Sequence, residues 1–112
     1  MSVTIDSPEA HIIRKMIPFS TMPHNIFKVI CGKIVIETAR SGEFLFKRGE
    51  TNNDLIYLLD GDVSLESGLL KMEDIKSGSD SARFAIAHQF PRKVDAVAKK
   101  LRQFFTFKYY FY

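Results

Sequence analysis

The chain has no tryptophan, one cysteine, four prolines and six glycines among 112 residues, and no apolar run longer than a few residues. Each shortage removes a class of protein. A lone cysteine, Cys31, cannot close an internal disulfide, so an apolar core must hold the fold. So little glycine and proline excludes a collagen-like or low-complexity chain. A membrane-spanning helix needs about 18 apolar residues in a row, and the N-terminus lacks the basic-then-apolar order of a secretory leader. The expectation is a cytoplasmic protein with no membrane partner.

Charge of one sign is not in large excess either: 16 Lys and Arg face 13 Asp and Glu, for a formal net charge of +3. That does not demand nucleic acid. The basic clusters at Arg92-Lys93 and Lys99 to Arg102 read as solvated strand ends, and no recognition helix accompanies them, so direct DNA binding is not expected. There is no Gly-x-Ser-x-Gly, no Walker loop and no Cys-His pair. His11, His24 and His88 are too far apart for metal-ligand spacing, and Glu50, Asp54, Asp60 and Asp62 fall at turns, where carboxylates bond the backbone. No enzyme, metal or covalent cofactor is expected.

What the chain does contain is punctuated periodicity. Ser7-Pro8-Glu9 supplies an N-cap, a proline for the first helical position and an acid for the first turn, ahead of a stripe of Ile12, Ile13, Met16 and Ile17. Pro18 stops that helix. Pro23 opens a second one through Cys31, with Ile26, Phe27 and Ile30 facing the core and Gly32 ending it. From Lys33 the period changes to two, with Ile34/Ile36, Phe44/Phe46, Ile56/Leu58 and Val63/Leu65 as successive pairs. Asp60-Gly61 between apolar runs predicts a short hairpin, Ser67-Gly68 predicts another turn before Leu69 to Ile75, and residues 76–81 form a polar loop. The fold class predicted is mainly β: an antiparallel barrel or jelly roll with short N-terminal helices packed at one end.

The segment from Ala82 to Ala98 carries the functional signal. A short apolar run able to form a helical turn or two leads into Phe90-Pro91-Arg92, and Val94, Ala96 and Ala98 then alternate as a strand. Arg92 therefore sits where a loop meets a sheet. A guanidinium there, facing amide groups at the start of the short helix, suits one phosphate. This arrangement resembles the phosphate-binding cassette of the cyclic-nucleotide-binding domains, Phe-Gly-Glu-x-Ala-Leu followed after a short gap by Pro-Arg-x-Ala-Ser/Thr-Val. Ala85-Ile86 resembles the Ala-Leu step, and Pro91-Arg92 the Pro-Arg step, at a matching distance. Gly42 to Glu50 and Ile56 to Val63 look like the family's two glycine-marked hairpins, so the resemblance spans roughly residues 10 to 100.

The resemblance implies a double-stranded β-helix and a regulatory sensor module that binds cyclic AMP, cyclic GMP or a related phosphate anion. Arg92, Ala85 and Ile86 would hold the phosphate, and Phe84, Ile86 and Ala87 would support the pocket. On the ribose and base side the pattern departs. The Gly-Glu pair falls on Ala82 and Arg83, replacing the carboxylate that accepts the ribose 2'-OH, and Asp95 falls on the Ser/Thr position. Losing that charge-assisted bond costs about 1.5–3 kcal/mol. Arg83 could add a second cation, and Asp95 could pair with Arg83 or Arg92. Ion pairing of the two arginines with Glu43, Asp80 or Asp95 is the purely structural alternative. The functional alternative is a ligand-free interaction domain on the same barrel.

The division implied is an N-terminal helical segment at 1–32, the barrel at 33–103, and an aromatic tail at 104–112. Seven of the last nine residues are aromatic. The tail's composition favours a strand, and the family's closing helices are missing. Truncation or a frameshift is one explanation. The other is burial against the barrel, a protein partner or a second copy of the chain.

Overall fold

The computed structural model describes residues 4–51, 54–68, 70–87, 92–100 and 103–107. Among these residues two short helices lead into seven strands. In α1 (Pro8–Ile13) the Ser7 hydroxyl accepts the Ala10 amide at 3.1 Å and Pro8 takes the first helical position. The helix stops at Ile13 rather than running on to Ile17; Ile13 and Met16 are buried, and Ile12 is exposed. In α2 (His24–Cys31) the inward stripe is Phe27, Ile30 and Cys31, one step from the predicted one, and Ile26 is 44% exposed. Arg14 fastens the connection between these helices. Its guanidinium lies 4.7 Å from the Phe27 ring centre and donates to the carbonyls of Phe19 and Met22.

The strands are β1 (Val35–Glu37), β2 (Phe44–Phe46), β3 (Leu55–Asp60), β4 (Asp62–Ser67), β5 (Leu70–Lys76), β6 (Asp95–Ala98) and β7 (Gln103–Phe107). They form two antiparallel sheets, ordered β1-β7-β3 and β2-β6-β4-β5. This is the expected mainly-β jelly roll. The first sheet separates two cores. Leu55, Tyr57 and Leu59 of β3 and Phe105 of β7 face the helices, while Ile56, Leu58 and Phe104 face the interior between the sheets with Phe46, Val63, Ala96 and Ala98. Both faces of β3 are thus covered, which is why its apolar residues run on without a break.

Two expectations change, and the turn expected at Ser67-Gly68 is found. Asp60-Gly61 is not a hairpin, because β3 and β4 belong to different sheets. Gly61 takes φ +122°, its amide donates to the Ser77 hydroxyl and its carbonyl accepts the Ser77 amide, so the chain is turned across to the end of β5. The true hairpin is β4 to β5, where Ser67 pairs with Leu70. In β2 only Phe46 is buried. Phe44 is 48% exposed, because the register with β6 shifts between the two.

The boundary drawn at residue 104 falls inside β7. Phe104 and Phe105 are buried, so packing against the barrel accounts for them and they are not available to a partner; residues 108–112 lie outside the described residues. No helix among the described residues is long and apolar enough to cross a membrane.

Candidate functional site

The predicted cassette begins at a 3-10 turn over Asp80–Arg83, one step ahead of the apolar run expected to be helical. Its amides already serve the backbone: Ala82 donates to the Ser79 carbonyl and Phe84 to that of Ser81. The chain then crosses the open end of the sandwich. Ile86 donates its amide to the Ile56 carbonyl at 2.7 Å and buries its side chain in the inter-sheet core, while Ala85 packs against the helix-side core and Phe84 is 52% exposed. Phe84 therefore does not line a buried pocket here. Ala87 turns the chain with φ +37°, and His88 to Pro91 lie outside the described residues.

Arg92 re-enters just before β6 and is the most deeply placed charged residue described, with 1% of its surface exposed. The loop between β2 and β3 wraps it. Its amide donates to the Glu50 carbonyl at 2.9 Å, its carbonyl accepts the Gly49 amide at 2.8 Å, and Nη2 donates to the Asp54 carbonyl at 2.5 Å. The guanidinium carbon lies 4.3 Å from the centre of the Phe46 ring, a cation–π arrangement. Burial pushes the guanidinium below its ordinary pKa, and the Glu50 and Asp54 carboxylates push it back up. It stays charged, because arginine does not lose its proton in proteins.

The described residues form a jelly roll of two antiparallel sheets, with short N-terminal helices packed on one sheet and a buried arginine just before β6. No protein-family profile and no curated protein matches the sequence. Solved structures do match in shape. The sensor domain of the transcriptional regulator DNR from Pseudomonas aeruginosa superposes with TM-score 0.70 at 16% identity, over 87% of this chain and 72% of that one. A cyclic nucleotide-binding-like protein from Brucella abortus gives 0.70 at 16%, over 91% of both chains. The regulatory domain of Toxoplasma gondii PKA with cAMP gives 0.70 at 11%, over 89% of this chain and 41% of that one. The chain has the cyclic-nucleotide-binding-domain fold.

Within the cyclic-nucleotide-binding-domain fold, the altered cassette positions each have a local explanation. Ala82 is buried at the end of the inter-sheet core. Arg83 is exposed; its Nε donates to the Lys15 carbonyl at 3.2 Å and its own carbonyl accepts the Ile17 amide at 2.7 Å. Asp95 opens β6, and its Oδ1 accepts the Arg48 amide at 2.7 Å, a backbone partner rather than the Arg83 or Arg92 side chain considered from sequence. Glu43 likewise bonds a backbone amide, that of Arg40, and the carboxylates whose charge acts on Arg92 are those of Glu50 and Asp54. The structure thus gathers Arg92, Ala82 and Ile86 around one core and directs Arg83 to the end of the helical segment.

Sequence reasoning missed the residues that surround Arg92. Phe46 was read only as core, and Glu50 and Asp54 only as turn carboxylates. The available signal was the spacing Phe46…Gly49-Glu50…Asp54, a glycine-marked turn carrying two acids and opening directly after a strand aromatic. Among the described residues, no group of three or more His, Cys, Asp and Glu side chains is placed to hold a metal ion.

Cys31 has its thiol pKa raised by burial, an effect that Arg14 partly offsets. The thiolate is the nucleophile, so iodoacetamide should modify native Cys31 far more slowly than the unfolded chain. The sign for stability follows: the folded state holds the proton more tightly, so this contribution is present below the ordinary thiol pKa of about 8.5 and is lost as pH rises above it. Equal labelling rates with and without urea would overturn this.

Proposed function

We propose that the chain is a non-catalytic regulatory domain that binds a cyclic nucleotide or a related phosphate anion beside Arg92. The observation that carries this reading is the buried arginine itself. A desolvated guanidinium seated on Phe46 and held by the backbone of Gly49, Glu50 and Asp54 is a costly element to keep in a core. Exchange of the Asp54 carbonyl for phosphate oxygens would give it a bidentate partner. Ala85 and Ile86 would shape the phosphate side; Arg83 is turned to the Lys15 carbonyl and Asp95 to the Arg48 amide, so the ribose would find no counterpart of the family's glutamate at position 83, which predicts weak sugar selectivity. The similarity to the Toxoplasma domain holding cAMP supports the ligand class. Signalling in the cytoplasm, through a protein partner or a second copy of the chain, belongs to the same proposal.

A second reading has its own support. Arg92 donates to the Asp54 carbonyl and is wrapped by the β2–β3 loop, so the same contacts describe a structural arginine in a ligand-free interaction domain. Calorimetric titration decides between them. Cyclic AMP or cyclic GMP should bind the parent chain, and Arg92→Lys, which keeps the charge but loses the fork, should weaken it by about tenfold or more. Absence of heat at millimolar nucleotide, with the chain folded by circular dichroism, would establish the interaction-domain reading instead.

A further inference from the structure

Ala82 and Arg83 also line a second feature, one that does not include Arg92. Where the cassette meets the end of α1 there is a cleft of about 150 Å³. It opens at the seam between the two cores: Met16 and Leu59 on its walls belong to the helix-side cluster, and Leu58 and Ala82 to the inter-sheet cluster. Neither core closes it. Its walls are therefore mainly apolar, and two cations, Lys15 and Arg83, stand among its lining residues, both exposed. The hydrogen bond from Arg83 Nε to the Lys15 carbonyl holds the guanidinium against the residue that carries the other cation. Neither the Lys71–Asp74 nor the Lys99–Glu66 ion pair involves these two residues.

We propose that this cleft is a binding site for a small apolar carboxylate: a group of about benzene size with one negative charge. Size and charge argue for it separately. A mainly apolar space of about 150 Å³ is large enough for a benzene-sized group. A ring or short alkyl group fills such walls, whereas a bare phosphate leaves them empty. Two cationic residues and no carboxylate among the lining residues favour an anion at the mouth, and a carboxylate matches the guanidinium fork. A ligand seated here bridges the cassette and the segment that follows α1, which are already joined by the Ile17-to-Arg83 backbone bond. It would stiffen the junction between the helical segment and the sheet. The site is independent of any nucleotide at Arg92.

The test is a titration of the full ¹⁵N-labelled chain with benzoate, with benzamide as the neutral ligand of the same shape. Benzoate should shift the amides of Met16, Gly78, Ser79 and Arg83 saturably in the millimolar range, and benzamide should bind about tenfold more weakly. Lys15→Gln with Arg83→Gln should reduce benzoate affinity to that of benzamide; both side chains are exposed, and the two-ligand comparison on the parent chain stands even if the variant is damaged. Arg92→Lys should leave the benzoate titration unchanged. No saturable shift, equal affinity for the two ligands, or loss of the benzoate response in Arg92→Lys would each overturn the proposal, the last by assigning the anion to the cassette arginine.

Discussion

A chain ending at residue 102 should show no cooperative unfolding transition, although it would lose only the last tenth of its length. β7 is the middle strand of its sheet, with ladders to β1 from Val35–Thr106 to Glu37–Phe104 and to β3 from Leu55–Phe107 to Asp60–Gln103. Without it neither neighbour has a partner in that sheet, and both cores lose a wall. Phe105 is fully buried, stacked on Tyr57 at 4.8 Å and edge-on to Phe19 at 6.0 Å. Deleting a phenylalanine side chain at such a site costs about 3–5 kcal/mol, and each ladder hydrogen bond adds roughly 1 kcal/mol. A small domain has about 5–15 kcal/mol in total. Phe105→Ala alone should lower the urea midpoint strongly, and the chain ending at 102 should give a disordered far-ultraviolet spectrum. A cooperative melt of that shortened chain near the parent's temperature would show that β7 is dispensable.

The aromatic end illustrates where the sequence is legible. Its strand propensity was plain, since Phe, Tyr and Thr suit a pleated surface. Its destination was not, because strand pairing is set between residues about 70 positions apart, as in the Thr106 hydroxyl donating to Glu37. Asp60-Gly61 shows the same limit. A positive φ was rightly expected at Gly61, yet local turn chemistry could not reveal that Ser77 would draw the next strand into the other sheet. The amphipathic helices were readable apart from a rotation of one residue, and their buried residues Ala10, Ile13, Phe27, Ile30 and Cys31 all join the helix-side core.

For the site, the position of Arg92 followed from its spacing to Ala85-Ile86, a local pattern. Its surroundings did not. Asp54 lies 38 residues away and Phe46 lies on another strand, so their convergence is a property of the sandwich. Arg83, on the cassette's glutamate position, is expected from sequence as a second cation for the same anion. The fold instead sets it against α1, since the 3-10 turn over Asp80–Arg83 closes before the crossing segment and leaves residue 83 facing Lys15.

Arg92→Ala should destabilise the domain by about 3 kcal/mol or more, comparable to removing one member of a buried ion pair. Three terms act together. The Asp54 carbonyl loses the Nη2 donor, Phe46 loses the cation over its ring, and the Glu50 and Asp54 carboxylates lose the charge that faces them. The third term sets the sign of a further comparison. If Arg92 were merely filler, Arg92→Met would restore the parent's stability, since methionine adapts to irregular space. With two carboxylates left facing an apolar side chain, Arg92→Met should instead remain well below the parent, and adding Glu50→Gln and Asp54→Asn should recover part of the loss. Urea unfolding of the four chains measures this. Full recovery in Arg92→Met alone would mean that the carboxylates do not sense the guanidinium, and the electrostatic account of the buried arginine would fail. Partial recovery only in the triple variant would show that the β2–β3 loop holds its shape by balancing that charge. Under the proposed function, a phosphate approaching Arg92 would then compete with those carboxylates, and nucleotide binding by titration should tighten when Glu50 is neutralised.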